Sequence, residues 1–302
     1  MAENERNSCI ACGWSPEQQK LCSYESHVKL FYGASKRGVW SIGSDVVLKE
    51  RPDDGSRNEA HVLRYLENHA EIPSPKILRD WVDSDGRYFF LSERLHGETL
   101  EKAWPSLSQS QKTAIADEVV AVRQALRKIT SPAIRSVNGG QCTAVLLILA
   151  AGNETSFSSD FDLRDAISRS LHDPPSRTFP EDALRNLLKR FPKSEPYVLT
   201  HCDLNIGNII VKDGKLAGIL DWEYAAYYPI WYEYVSASWG WTEEDVAWKR
   251  LLKERFKAHD DAYEAEKEFW MDLRAVRKYP DLDEDGRKVL DRLSDEKYNH
   301  DI

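Results

Sequence analysis

The sequence predicts an α+β fold, with a small, mainly antiparallel β region carrying one helix, followed by a larger and mostly helical region. Three observations carry this. Runs rich in Val, Ile, Phe, Tyr and Trp, bounded by Gly, Asp and Ser, cluster between residues 39 and 95. Beyond residue 108, apolar residues recur at helical spacing over several segments. One strong hairpin signal, Asp213-Gly214 between two apolar runs, interrupts that helical part.

Along the chain, Val39 to Ile42 and Val46 to Lys49 read as strands joined by the turn Gly43-Ser44-Asp45. A helix follows at about Asn58 to His69, where Glu59, Val62, Leu63 and Leu66 fall at i, i+3, i+4 and i+7. Trp81-Val82 and Tyr88-Phe89-Phe90-Leu91 are strands about the turn Asp83-Ser84-Asp85-Gly86. Ser108 to Ile129 places Ile115, Val119, Val122, Leu126 and Ile129 at helical spacing, with Ser108 or Ser110 available as cap. Asn138-Gly139-Gly140, the stretch from Gly152 to Asp160, and Pro174-Pro175 read as loops ahead of a helix over Glu181 to Arg190. Val246, Leu251, Leu252 and Phe256 mark one late helix, and Phe269, Leu273 and Val276 another; the tail from Asp281 is charged. There is no internal repeat or low-complexity tract.

The most informative stretch is Leu199-Thr200-His201-Cys202-Asp203-Leu204-Asn205-Ile206-Gly207-Asn208, followed by Ile219-Leu220-Asp221-Trp222-Glu223. His-x-Asp-x-x-x-x-Asn is the spacing of a phosphotransferase catalytic loop, in which the Asp accepts the substrate proton and the Asn holds metal. The hairpin between the two motifs sets an expected geometry. With Asp213 and Gly214 as its turn, Val211 faces Leu216, Ile209 faces Gly218 and Asn208 faces Ile219. Alternation then turns Asp221 to the face of Asn208, at about 7 Å for a diagonal cross-strand pair. Two such oxygen ligands suit a hard cation that keeps its waters and substrate phosphates, which points to Mg²⁺. The competing structural reading has Asp221 ending a strand and Asn208 capping a turn; it leaves the joint spacing unexplained.

Lys49, closing an apolar strand, can neutralise ATP phosphates. Glu59 lies on the apolar stripe of the next helix, where a carboxylate is costly unless paired, and Lys49 is its natural partner.

Together with Phe90-Leu91-Ser92-Glu93-Arg94-Leu95-x-Gly97-x-Thr99-Leu100, these motifs resemble the aminoglycoside phosphotransferase and choline kinase-like family, from about Val39 to Trp239. The resemblance implies a two-lobed protein-kinase-like fold. Residues 31–96 would form the nucleotide-binding lobe, 97–302 the lobe with the catalytic loop and substrate pocket, and 1–30 an N-terminal arm. It also implies ATP and Mg²⁺ as cofactors, with Asp203 as catalytic base and Asn208 and Asp221 as metal ligands. Lys49 would meet the phosphates with Glu59 orienting it, the backbone of Glu93, Arg94 and Leu95 would meet the adenine, and His201 would brace the loop. The chain departs from the family pattern at Cys202, where most relatives carry glycine, and in lacking a Gly-x-Gly-x-x-Gly run around Gly33, Gly38 and Gly43. Trp222-Glu223 follows Asp221 and no Ala-Pro-Glu segment comes after it, which disfavours a protein substrate. The expected activity is transfer of the ATP γ-phosphate to a hydroxyl of a small acceptor, with amine-bearing alcohols among the candidates. The alternatives are a catalytically idle kinase-fold module that binds nucleotide or a partner, and a phosphotransferase acting on protein.

Composition agrees with a globular enzyme. The 302 residues are 41% hydrophobic, enough for one or two cores, and the net charge of −9 disfavours nucleic acid and anionic membrane surfaces as partners. The longest apolar run, Ala144 to Ala151, is too short to span a bilayer, and Met1 to Asn7 is polar, so a cytoplasmic location is expected. Five scattered cysteines do not form a disulfide framework. Cys9-x-x-Cys12 is half of a zinc pattern that Cys22 and His27 could complete, although the spacings fit no recurring module. The acid-rich residues 260–268 alternate with basic ones as a solvated helical face does. The aromatic run from Tyr224 to Trp239 suits a core better than an amine cage, and Glu233 is the acid within it to test for substrate contact.

Overall fold

The computed structural model describes residues 28–34, 36–142, 155–173 and 178–295. Cys9, Cys12, Cys22, His27, the run Ala144 to Ala151 and Pro174-Pro175 lie outside the described residues. The chain divides into two compact units, one within Met1–Ser56 and Pro75–His96, the other within Arg57–Ser74 and Gly97–Ile302.

The first unit is an antiparallel sheet of β1 (Val28–Ala34), β2 (Arg37–Ile42), β3 (Val46–Pro52), β4 (Ile77–Val82) and β5 (Arg87–Glu93), in the order β1-β2-β3-β5-β4. The β2–β3 and β4–β5 turns fall at the expected residues. Gly86 takes φ 73, while Asp83 Oδ1 accepts the N–H groups of Asp85 and Arg87 at 3.0 and 2.8 Å and closes the β4–β5 turn. On β5, Tyr88, Phe90 and Ser92 alternate inward, the period of a half-buried strand. β1 begins inside the segment expected to be an arm. Val28, Phe31 and Tyr32 are exposed, so the strand carries no inward alternation for a sequence reading to detect.

The second unit opens with α1 (Asn58–Leu66), which buries Ala60, Val62, Leu63 and Leu66 and packs on the turn at residues 222–224. Asn58 Nδ2 pins it there by donating to the carbonyls of Glu223 and Ala225 at 2.9 and 2.8 Å. That anchoring groups the helix with the second unit. There follow β6 (Glu98–Thr99), α2 (Leu100–Ala103), α3 (Gln109–Leu126), β7 (Thr130–Ser131), α4 (Asp160–Leu171), α5 (Glu181–Lys189) and β8 (Tyr197–Thr200). Then come β9 (Ile209–Lys212), β10 (Lys215–Ile219), β11 (Ala226–Pro229), α6 (Tyr232–Ser236), α7 (Glu243–Ala258), α8 (Glu264–Val276) and α9 (Glu284–Ser294). Two small sheets, β10-β9-β6 and β11-β8-β7, flank the loop at residues 201–208. Ser108 caps α3 in a reciprocal box with Gln111. α4 and α9 were not foreseen; α9 buries only Gly286 and Leu293 of its eleven residues, too thin a stripe to read in a charged tail.

The core of this unit is aromatic. Trp222, Trp231, Trp248, Tyr228, Tyr232, Tyr234, Phe256 and Phe269 are among its fully buried side chains, with Tyr228 and Tyr232 stacked at 4.4 Å. The run from Tyr227 to Tyr234 is therefore packing, not an exposed cage. Among the described residues no helix is long and apolar enough to cross a membrane.

Gly97 enters this unit at φ 144, where a Cβ would stand 2.3 Å from the Val211 carbonyl oxygen. Gly97→Ala is expected to cost at least about 2 kcal/mol through combined strain and clash. Its urea-unfolding midpoint should fall accordingly; an unchanged midpoint would show that the β6–β9 approach yields.

Candidate active site

The β9–β10 hairpin forms as its turn residues require, with Asp213 at φ 53 and Gly214 at φ 73 and Val211 opposite Leu216. Its register then departs from expectation. A bulge between Leu216 and Gly218 places Gly218 opposite Ile210 and Ile219 opposite Ile209, one residue off the expected pairing. Asn208 instead closes a 3₁₀ turn, Ile206–Asn208, and its carbonyl accepts the Leu220 N–H at 2.8 Å. Asp221 adopts a left-handed backbone, φ 64 and ψ 64. Strand alternation therefore does not direct its side chain.

Two buried side chains hold the loop that carries Asp203. The His201 ring lies 2.9 Å from the Leu220 carbonyl through Nε2 and 3.2 Å from the Asp203 N–H through Nδ1. A carbonyl only accepts and an N–H only donates, so the ring is neutral with its proton on Nε2. It ties the backbone of Asp203 to the residue before Asp221, and Trp222 packs edge-on against it at 4.5 Å. Glu233, the acid singled out for a test of substrate contact, is wholly buried and accepts the N–H groups of His201 and Cys202 at 2.9 and 3.1 Å. The cause is that α6 buries four of its residues in the aromatic core, which carries Glu233 inward beneath the loop. Burial pushes its carboxyl up to about 7, against the opposing pull of Arg123 and the two N–H groups. Cys202 sits at φ 72, a conformation costing a non-glycine residue about 1–3 kcal/mol, and its bond to Glu233 helps to hold it there.

Around Asp203 the polar atoms are closely assigned. Asn208 Nδ2 donates to its Oδ2 at 3.0 Å and to its carbonyl at 2.9 Å, and Asn205 Nδ2 donates to its Oδ1. Burial raises the Asp203 carboxyl to about 6, with the Asp221 charge adding to the rise and Lys249 opposing it. Asp203, Asn208 and Asp221 are thus brought together, by the 3₁₀ turn and the bulge and not by the regular ladder expected. Both neighbours of Asn208 Nδ2 are acceptors, which orients its Oδ1 as the atom able to meet a cation. Amide and carboxylate oxygens next to a second carboxylate are a donor set that fits Mg²⁺. No group of three or more His, Cys, Asp or Glu side chains able to hold a metal occurs among the described residues, so such an ion would depend on phosphate and water for its other ligands.

Asn205 and Lys249 escaped the sequence reading. The available signal was Lys249 beside Trp248, Leu251 and Leu252, a charge on the apolar side of α7. The remaining expected residues divide between the units. Lys49 stands mid-sheet opposite Val39 and Phe90. Glu93 is exposed at the end of β5, and Arg94 and Leu95 are half-buried. The Glu93 and Arg94 N–H groups are used within the first unit, on Lys76 O at 2.8 Å and Asp45 O at 2.7 Å. Glu59 lies in the first turn of α1, so it and Lys49 belong to different units.

The sequence profile of the phosphotransferase enzyme family (APH) matches residues 32–269. The chain belongs to this family. No curated protein matches it by sequence. Among solved structures, a thermostable mutant of aminoglycoside phosphotransferase APH(4)-Ia, in ternary complex with AMP-PNP and hygromycin B, is similar at TM-score 0.56 and 16% identity. That similarity covers 92% of this chain and 95% of the other. ADP-bound APH(2'')-Ib is similar at TM-score 0.55 and 13% identity, covering 91% and 95%. The streptomycin-ATP-APH(2")-IIa ternary complex is similar at 0.54 and 14%, covering 92% and 94%. The APH fold, α+β and protein-kinase-like, is therefore the fold of this chain, with its antiparallel sheet in the N-terminal part and its helices in the C-terminal part.

A carboxyl whose folded pKa lies above its unfolded value favours folding most while protonated. The contribution of Glu233 is accordingly complete below its ordinary value of 4.5 and is lost as pH rises through about 7. In this APH-family protein, Glu233→Gln removes that dependence. The melting temperature of the variant relative to wild type should rise between pH 5 and pH 8, and a constant difference would show that Glu233 does not titrate there.

Proposed function

We propose that this protein transfers the γ-phosphate of ATP to a hydroxyl group of a small acceptor, with Asp203 as the base. The observation that carries the reading is the Asp203 carboxylate, bound at both oxygens by the amides of Asn205 and Asn208. Asp203 accepts a hydrogen bond from the acceptor hydroxyl and takes its proton as the new O–P bond forms. The bond from the γ-phosphorus to the bridging oxygen breaks, and ADP leaves. Asn208 Oδ1 and Asp221 would hold Mg²⁺, which when bound would supply positive charge against the phosphates. Lys49 is assigned to phosphate binding, the role that its place in the motif pattern gives it. Of the three residues expected at the adenine, Glu93 and Arg94 have their N–H groups engaged, so Leu95 is assigned the donating N–H. Catalysis of this kind is positioning and electrostatics.

An amine-bearing alcohol is the acceptor class to test first, since a net charge of −9 attracts cations and the similar solved structures are aminoglycoside phosphotransferases. The decisive experiment is magnesium-dependent ADP release over a panel of aminoglycosides, amino alcohols and sugars. Release stimulated by one class supports the reading, and release stimulated by none refutes it. Asp203→Asn should lower kcat at least about 10³-fold while ATP affinity by calorimetry stays within about threefold, because only the base is lost. Asp221→Asn should weaken magnesium affinity, read as a rise of about tenfold or more in the Mg²⁺ concentration giving half-maximal rate.

A further inference from the structure

Lys249 lies on α7, and at 7% exposure it is a buried cation. Its ammonium meets Asn205 Oδ1, the Trp239 carbonyl and Asp245 Oδ2, the last at 3.3 Å. Asp245 completes a clamp on the same loop, its Oδ1 accepting the Ile206 N–H at 2.9 Å and its Oδ2 the Trp241 N–H at 3.1 Å. The Asn205 amide stands between Lys249 on one side and Asp203 on the other. An ammonium can only donate and an ionised carboxylate can only accept, whereas a carboxamide accepts at one end and donates at the other. The cation therefore leaves Asn205 one orientation, with oxygen toward Lys249 and nitrogen toward Asp203. Turned the other way, the amide would set NH₂ against ammonium and oxygen against carboxylate. Linked hydrogen bonds also polarise one another, so the ammonium strengthens the donation that Asp203 receives.

We propose that Lys249, acting through Asn205, is a positioning residue for the base: it sets the polarity of the Asn205 amide, which holds Asp203 Oδ1 while Asn208 holds Oδ2. This inference rests on Asp203 being the base, as proposed above. Each carboxylate oxygen keeps a second lone-pair direction, so an acceptor hydroxyl can still be received.

The test is a kinetic cycle on the full chain with Asn205→Leu, Lys249→Met and the double variant. Each single change is expected to lower kcat about ten- to a hundredfold with the ATP KM within about twofold, as loss of base alignment does. The double variant should be no slower than the more impaired single one, because the second change removes nothing further from the same chain of bonds. Multiplying losses, or a kcat for Asn205→Leu within twofold of wild type, would overturn the proposal. Lys249→Met leaves Asp245 without its ammonium; if that variant fails to fold, Asn205→Leu keeps the clamp intact and decides alone. The side-chain ¹⁵N amide resonance of Asn205 separates this inference from the functional reading. A chain that phosphorylates no acceptor refutes the reading. An Asn205 resonance unmoved by folded Lys249→Met, or one that still exchanges freely with solvent in wild type, refutes the relay whatever the activity.

Discussion

Everything at the candidate active site depends on one buried carboxylate. Glu233 accepts two consecutive backbone N–H groups, those of His201 and Cys202, at the point where β8 ends and the loop begins. Taking a carboxylate out of water costs several kcal/mol, and it is tolerated only where hydrogen bonds and an opposite charge replace the lost hydration. Here the two N–H groups and the nearby Arg123 guanidinium supply that replacement, and Arg123 is itself buried against Asp261 at 3.6 Å. The arrangement is reciprocal. The loop gives Glu233 its donors, and Glu233 holds the loop in a turn that places Cys202 in a left-handed conformation.

Above that anchor, orientation is set by which groups can only donate and which can only accept. His201 can be neutral in only one tautomer, because a carbonyl faces one nitrogen and an N–H the other. Asn208 turns its nitrogen to Asp203 because both nearby atoms of that residue are acceptors. Asn205 does the same because a cation lies behind it. The result is a carboxylate whose surroundings are arranged before any substrate arrives, the condition under which fixed dipoles contribute most to phosphoryl transfer.

Legibility varied with the range of the interaction. The Asp213-Gly214 turn was readable because two positive φ values select those residue types locally. The bulge two residues later was not, since Ala217 carries no mark of being the extra residue in its strand. α3 was readable from its stripe and its Ser108 cap, whereas α9 and the exposed β1 bury too little to leave a period. The surroundings of Glu233 were not legible, because an acid among tyrosines looks alike in sequence whether it faces solvent or core.

Motif resemblance and spacing were enough to name the family, the α+β class, and a loop with candidate base and metal ligands, because motif spacing and hydrophobic period are properties of neighbours in the chain. The partners of those residues came from elsewhere: Glu233 lies 31 residues beyond Cys202, Lys249 44 residues beyond Asn205, and Asn58 165 residues before Glu223. Such contacts arise when packing brings distant segments together and burial forces each polar atom to find a complement. That requirement acts on the folded chain as a whole, and no local stretch of sequence records how it is met.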